Sequence, residues 1–354
     1  MSKMLIINPG STSTKIAVYE DTKEIFQEKI EHSATEIAQY EEICDQQEMR
    51  KNIIEEVLKA NGININEINA VVARGGLIRP IESGTYEVNE QMINDARIGL
   101  TGDHASNLGC IIAYDFAKQI GVKAYIVDPV VVDELEEVAR FTGLPEIKRS
   151  VIFHALNQKS VARHAAEELG KEYDEVNLIV AHLGGGITVG AHKKGRVIDV
   201  NNGLLGEGPF SPERCGTLPI GKLVKLCYES DSTISEMNKK LAGKAGLTAY
   251  LGTNSGIEVN KMIDAGDKFA ESIYKAMAYN VSKEIGSCAA VLEGDIDGIV
   301  LTGGQAYDER FVSWITQKVG FLGRIFVYPG EKEMFALAEG GLRILSGEED
   351  AKEY

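Results

Sequence analysis

The sequence predicts an α/β protein built from two duplicated domains, and three observations carry that prediction. A strand-loop-strand-turn-strand unit spans Lys3 to His32. In it the apolar run Lys3-Met-Leu-Ile-Ile-Asn8 leads through Pro9-Gly-Ser-Thr-Ser-Thr14 into Lys15-Ile-Ala-Val-Tyr19, and after the polar turn Asp21-Thr-Lys23 comes Ile25-Phe-Gln-Glu-Lys-Ile30. The same grammar returns 173 residues later, from Leu5 to Leu178: Asn177-Leu-Ile-Val-Ala-His182, Leu183-Gly-Gly-Gly186, Ile187-Thr-Val-Gly-Ala-His192 and Arg196-Val-Ile-Asp-Val200, with the loops in phase and no gap. Finally, 354 residues are enough for about two domains with sizeable cores.

In the first loop, Gly10 permits a tight turn. Ser11, Thr12, Ser13 and Thr14 supply hydroxyl donors and Lys15 a point charge, chemistry that suits a phosphate as readily as an ordinary hairpin. Its recurrence as a glycine loop favours the phosphate, because two such loops facing one cleft could hold both ends of a polyphosphate. The net charge of −16 argues against nucleic acid and anionic membranes, so an anionic substrate requires a local basic pocket. Hydrophobic and charged shares of 44% and 25% are those of a soluble globular chain. With no apolar leader or spanning run, a cytoplasmic location is expected. The five cysteines, Cys44, Cys110, Cys215, Cys227 and Cys288, are scattered without a C-x-x-C pair, which argues against disulfides and a zinc site.

Taking the elements in order, Met49, Ile53, Ile54, Val57 and Leu58 predict a helix over 48–61 stopped by Gly62. A buried strand over 68–73 enters Arg74-Gly-Gly-Leu-Ile-Arg79-Pro80, where Arg74 is either a turn residue or a fork for an anion. His104 stands at the start of the helix running to Ile120, as a cap or an anion ligand. The strand over 122–128 ends in Asp128, a place where α/β sheets often carry functional carboxylates. His154 opens a helix ending near Gly170, and the charged Lys171-Glu-Tyr-Asp-Glu175 is the expected domain boundary: 1–170 forms the first domain, completed by 333–354, and 171–332 the second. The run Gly203-Leu-Leu-Gly-Glu-Gly208 has dinucleotide-loop spacing but follows a third antiparallel strand, and Pro209 and Pro212 forbid a helix opening on it. Beyond Glu213-Arg214-Cys215-Gly216-Thr217, helices are expected over 218–228, 234–241, 267–292 and 308–319. Gly252-Thr-Asn254-Ser-Gly256 falls between elements, and a strand from Ile296 runs into Thr302-Gly-Gly304-Gln305. A last strand over 324–328 precedes a helix bearing Glu333, Leu337 and Glu339.

The Asn8-Pro-Gly-Ser-Thr-Ser-Thr-Lys15 and His182-Leu-Gly-Gly-Gly186 loops resemble the phosphate loops of the superfamily of acetate and sugar kinases, actin and heat-shock chaperone ATPases. Over nearly its full length the chain is similar to the acyl kinases within it, and to the butyrate kinases in particular. The resemblance implies two ribonuclease-H-like domains with ATP in the cleft between them, Mg²⁺ as cofactor, a homodimer or higher homo-oligomer, and transfer of a phosphoryl group to butyrate or a branched short acid. It assigns Arg214, His154 and Asp128 to catalysis. Asn8, Ser11, Ser13, Lys15, Arg74, His104, His182, Gly184, Gly185 and Gly186 go to substrate and phosphates, Asn254, Gly303, Gly304 and Gln305 to the nucleotide, and Glu339 with Asp128 to the metal. The chain departs from the acetate kinase pattern in two places. Val71 stands where those enzymes have a substrate arginine, leaving Arg74 and Arg79 as replacements, and Gln158 stands where they have a second histidine. Two rivals accompany this reading: a sugar or polyol kinase, which needs an aspartate base, and a nucleotide switch of the actin or chaperone kind.

Overall fold

The structure, a computed structural model, describes every residue except Leu205, so that residue of the Gly203–Gly208 run lies outside it. It comprises two compact units, Met1–Asp133 with Lys332–Tyr354, and Glu134–Glu331.

The first unit is built on β1 (Lys3–Pro9), β2 (Ser13–Glu20), β3 (Lys23–Glu31), β4 (Ala70–Arg74), β5 (Thr85–Glu87) and β6 (Lys123–Val127), in the order β3-β2-β1-β4-β6-β5. β1 is antiparallel to β2 and parallel to β4. Its central residues Met4 to Ile7 are fully buried, as an unbroken apolar run between two layers requires. Leu5 and Ile7 face the layer of the Gln47–Ala60 and Leu108–Ile120 helices, joining Ile54, Leu58, Ile112 and Phe116 in one core. The Glu333–Ser346 helix crosses β1, β4 and β6. A β-carbon on Gly340 would stand 2.5 Å from Val127, and one on Gly341 2.6 Å from Val72, so the glycine pair lets this helix lie close to the sheet.

The second unit repeats the plan. Its strands are β7 (Asn177–Leu183), β8 (Ile187–Lys193), β9 (Arg196–Val200), β10 (Gly298–Gly303) and β11 (Ile325–Pro329), in the order β11-β10-β7-β8-β9. β7 is antiparallel to β8 and parallel to β10, as β1 is to β2 and β4. The repeat extends to an irregularity. The β2/β3 register slips between Val18 and Tyr19 and the β8/β9 register between Ala191 and His192, again 173 residues on. The Lys268–Val291 helix, capped by Asp267, buries Tyr274, Met277, Ala278, Val281 and Ile285 against this sheet.

The expected boundary at 170 and the observed division at 134 differ. The Ala155–Glu168 helix is the reason: Ala162, Ala165 and Ala166 pack on Leu178, Val180 and Val300 of the second sheet. Among the described residues no helix is long and apolar enough to cross a membrane.

Candidate active site

In the first unit the turn after β1 is held from beneath by a residue that sequence reading passed over. Arg50, fully buried on the Gln47–Ala60 helix, donates through Nη1 to Gly10 O (2.8 Å), Ser13 O (3.3 Å) and Thr14 Oγ1 (3.0 Å), and through Nη2 to Ser11 O (3.2 Å). Gln46 Oε1 accepts from its Nε and Nη2. Burial without a carboxylate partner brings its pKa down to about 10. With the loop carbonyls engaged by Arg50, Ser11 and Lys15 remain exposed and Ser13 half-buried.

Three chain segments converge beside this loop. Asn8 Nδ2 donates to Glu333 Oε2 (2.8 Å), and Arg74 Nη1 lies 2.9 Å from Glu333 Oε1. Glu333 opens its helix at the end of β1 and β4 where Asn8 and Arg74 sit. Burial, with Arg74 adding to it, lowers the pKa of His104, and Asp103 opposes them. Its Nδ1 accepts from Ser106 N–H at 3.2 Å, so His104 caps the following turn.

Three further expected residues have the following surroundings. Glu339 lies six residues further along the helix. Its charge reaches Tyr19, whose phenol pKa is raised by burial first, then by Glu24, and least by Glu339. Tyr19 pairs with Met4, toward the far end of β1 from Asn8. Asp128 is buried with φ at 38°, and its Oδ1 accepts from Ser83 Oγ (2.6 Å) and Gly84 N–H (2.9 Å), bonds that pin the turn leading into β5. Arg79 is bound to Asp95 and lies over the Tyr354 ring at 4.8 Å.

In the second unit three of the expected site residues, His182, His154 and Arg214, lie around the glycine loop between β7 and β8. His182, buried at the end of β7, places Nδ1 2.7 Å from Asn157 Oδ1. The imidazole of His154 stacks on it, ring centroids 3.7 Å apart and 10° from parallel. His154 Nδ1 meets Thr188 Oγ1 at 2.9 Å. Arg214 lies over Gly186 and donates from Nη1 to Gly203 O. Burial depresses the pKa of its guanidinium, and Glu213 opposes the shift. The loop itself is held by Ser211 Oγ on Gly185 O (2.6 Å) and Gln305 Nε2 on Gly184 O (3.2 Å). Glu331 Oε1 stands 2.9 Å from His182 Nε2, out of line for a hydrogen bond, so that buried nitrogen makes none. The loop thus offers a guanidinium and two stacked imidazoles around small residues, an arrangement suited to a multiply charged oxyanion.

Next to the loop is a cavity of about 770 Å³, lined by Ser255, Asn260, Gly304, Gln305, Asp308 and Arg310 among others, a volume that admits a nucleoside. Asp308 organises it. Its carboxylate caps the Glu309–Val319 helix through Arg310 and Phe311 N–H and accepts from Tyr274 Oη (2.7 Å) and Asn260 Nδ2. Of the expected nucleotide residues, Gly304 and Gln305 line this space. Gly303, at φ 89°, instead allows close packing on Leu183, where a β-carbon would stand 2.5 Å from the carbonyl oxygen. Asn254 is exposed and donates to Glu213 Oε1 at 2.7 Å. Asn260, Asp308 and Arg310 escaped sequence reading because no local pattern joins positions some fifty residues apart. Among the described residues no cluster of three metal-ligating side chains occurs.

A family model describing the acetokinase family matches residues 146–329. Among solved structures, the acetate kinase of Porphyromonas gingivalis is 21% identical over 98% of this chain and 100% of its own, with a TM-score of 0.82. A propionate kinase from Francisella tularensis subsp. tularensis SCHU S4 is 20% identical over 96% and 99%, with a TM-score of 0.77. The acetate kinase of Entamoeba histolytica is 18% identical over 96% and 98%, with a TM-score of 0.74. At these identities the likeness to solved structures is one of fold.

Proposed function

The chain belongs to the acetokinase family, and from that premise we propose that it phosphorylates a short-chain carboxylate with ATP, reversibly, giving an acyl phosphate and ADP. The observation that carries this reading is the grouping of Arg214, His154 and His182 around the Gly184–Gly186 loop, within the segment the family model covers. A carboxylate oxygen attacks the γ-phosphorus, the bond from that phosphorus to the β-bridging oxygen breaks, and ADP leaves with the electron pair. Arg214 and His154 donate to the oxygens of the phosphoryl group as charge spreads over them, so positioning and electrostatics carry the catalysis. Asn8, Ser11, Ser13 and Lys15 are the candidates for phosphate contacts in the loop after β1. Arg74 is the candidate for the substrate carboxylate, and the Asp308-centred cavity is the candidate nucleoside site.

Mg²⁺ neutralises phosphate charge and characteristically takes few protein carboxylates alongside phosphate oxygens. Glu333, beside Asn8 and paired with Arg74, is the carboxylate proposed to hold it ahead of Glu339. A carboxylate acceptor is already ionised and needs no base, whereas a sugar hydroxyl would need one such as Asp128, whose Oδ1 accepts from Ser83 and Gly84. Butyrate or a branched short acid is the proposed acceptor, and the one local hint for it is the departure of Val71 and Arg74 from the acetate kinase pattern. A cytoplasmic homo-oligomer is proposed as well, supported by the Ile220–Glu229 helix, which buries none of its residues although Ile220, Val224 and Tyr228 are apolar.

The test is kcat/KM for acetate, propionate, butyrate, isobutyrate and valerate with ATP and Mg²⁺, trapping acyl phosphate with hydroxylamine. Two further buried methylenes at ~0.8 kcal/mol each favour butyrate over acetate by roughly fifteen-fold. A maximum at acetate removes the butyrate assignment and keeps the carboxylate kinase. ATP turnover indifferent to every acid removes both in favour of a nucleotide switch.

A further inference from the structure

We propose that a buried chain of hydrogen bonds, running from Tyr173 through His192, Gln158 and Thr188, sets the tautomer of His154 and keeps its ring proton on Nε2. The proposal rests on the reading of His154 as a donor to the transferred phosphoryl group, and it makes Thr188 and Gln158 positioning residues.

The direction of the chain follows from one atom that can only accept. Gln158 Nε2 lies 3.0 Å from the backbone oxygen of Thr188, so the amide must present its nitrogen to β8. Its second hydrogen then points at Thr188 Oγ1, 2.9 Å away. This orientation turns Gln158 Oε1 toward His192 Nε2 at 3.1 Å, and that nitrogen must donate. His192 Nδ1 is left as an acceptor and takes the Tyr173 hydroxyl at 2.7 Å. Such an arrangement needs a neutral His192. Complete burial, with Lys159 and Arg163 adding their charge, presses its pKa well below the ordinary value.

At the other end, Thr188 Oγ1 already accepts from Gln158. Its own hydrogen goes to the remaining partner, His154 Nδ1, at 2.9 Å. A nitrogen that accepts carries no proton, so the ring proton sits on Nε2. Thr188, Gln158 and His192 are each 0% exposed, so bulk water does not compete for these bonds. Gly190, in the middle of β8, makes the room: a β-carbon there would stand 2.7 Å from Gln158 Oε1 and 3.3 Å from His192 Nε2. The chain matters because an Nε2–H donates to a phosphoryl oxygen, whereas the other tautomer presents a lone pair to it.

The test is the ¹⁵N-resolved histidine ring spectrum of the full-length protein, with His154 assigned by its loss in His154→Gln. Wild type should show the Nε2–H form. Thr188→Val and Gln158→Leu should admit the Nδ1–H form, and Thr188→Ser should restore wild type. In the same variants kcat should fall about tenfold, with the KM for ATP unchanged within a factor of about two and recovery in the serine variant. An Nδ1–H ring in wild type overturns the proposal without any variant, and so does an unshifted tautomer in folded Thr188→Val. A tautomer that shifts while kcat stays constant supports the chain and overturns the phosphoryl-donor role of His154.

Discussion

The guanidinium of Arg214 lies over Gly186 so closely that a β-carbon on this glycine would overlap its Nη1, while Gly203 O holds the same nitrogen from the other side. Glycine at 186 is therefore part of how Arg214 is aimed. Arg214→Ala should lower kcat by about 10² or more with a smaller change in the KM for ATP, since one transition-state donor contributes ~3–4 kcal/mol. Lysine should rescue poorly for want of the planar fork. Gly186→Ala should reproduce the kcat loss by displacing the guanidinium. Near wild-type turnover in both variants would make Arg214 structural.

The second prediction separates two carboxylates of one helix. Glu333→Gln should raise the Mg²⁺ concentration needed for half-maximal activity, because an anionic oxygen beside Asn8 is lost. Glu339→Gln should leave that requirement unchanged. Titrating activity with Mg²⁺ at saturating ATP decides it, and the reverse result would return the metal to Glu339.

Arg50 should matter for stability and nucleotide binding together. Arg50→Met strips hydrogen bonds from Gly10 O and from the buried Thr14 Oγ1, and a lost buried hydrogen bond of this kind costs ~1–3 kcal/mol. A marked fall in Tm and a several-fold rise in the KM for ATP are expected, with Arg50→Lys intermediate because one ammonium cannot span the same acceptors. Unchanged melting and KM in Arg50→Met would refute the clamp.

Stability should also fall on mild acidification through the buried histidines. Burial lowers the pKa of His192, with help from Lys159 and Arg163, and that of His32, with help from Arg50 against Glu36 and Glu31. The folded state therefore stays unprotonated at these rings while the unfolded chain protonates near the ordinary value of 6.5. The unfolded state binds more protons below that pH, so stability drops as pH falls from 7 toward 5, by up to ~1.4 kcal/mol per pH unit for each ring. His192→Gln can accept from Tyr173 and donate to Gln158, and it should flatten the dependence. Urea unfolding at pH 7.0, 6.0 and 5.5 measures the difference, and parallel curves for the two proteins would exclude His192 as a source.

What the sequence determined by itself was the repeated plan and the residues written into local motifs. Alternating and unbroken apolar runs encode strands through contacts two residues apart, and a glycine loop after each first strand marks where those strands end. The 173-residue spacing therefore survives in the structure down to the register slip at Tyr19 and His192. The Gly184–Gly186 loop was legible for the same reason, whereas Arg214 and His154 were singled out only by their resemblance to acyl kinase motifs. Tertiary structure decided what depends on how elements dock. Glu333 and Glu339 share a helix, and only its path across β1, β4 and β6 brings the first to Asn8 and leaves the second near Tyr19. Arg50 has the composition of a solvated helical face, yet packing puts it under the loop after β1, where backbone carbonyls replace the water it would otherwise bind. The Ala155–Glu168 helix carries small residues that would suit either sheet, and their fit against Leu178 and Val300 assigns it to the second. Contacts of this kind join residues far apart in the chain, and they exist only once the layers have closed.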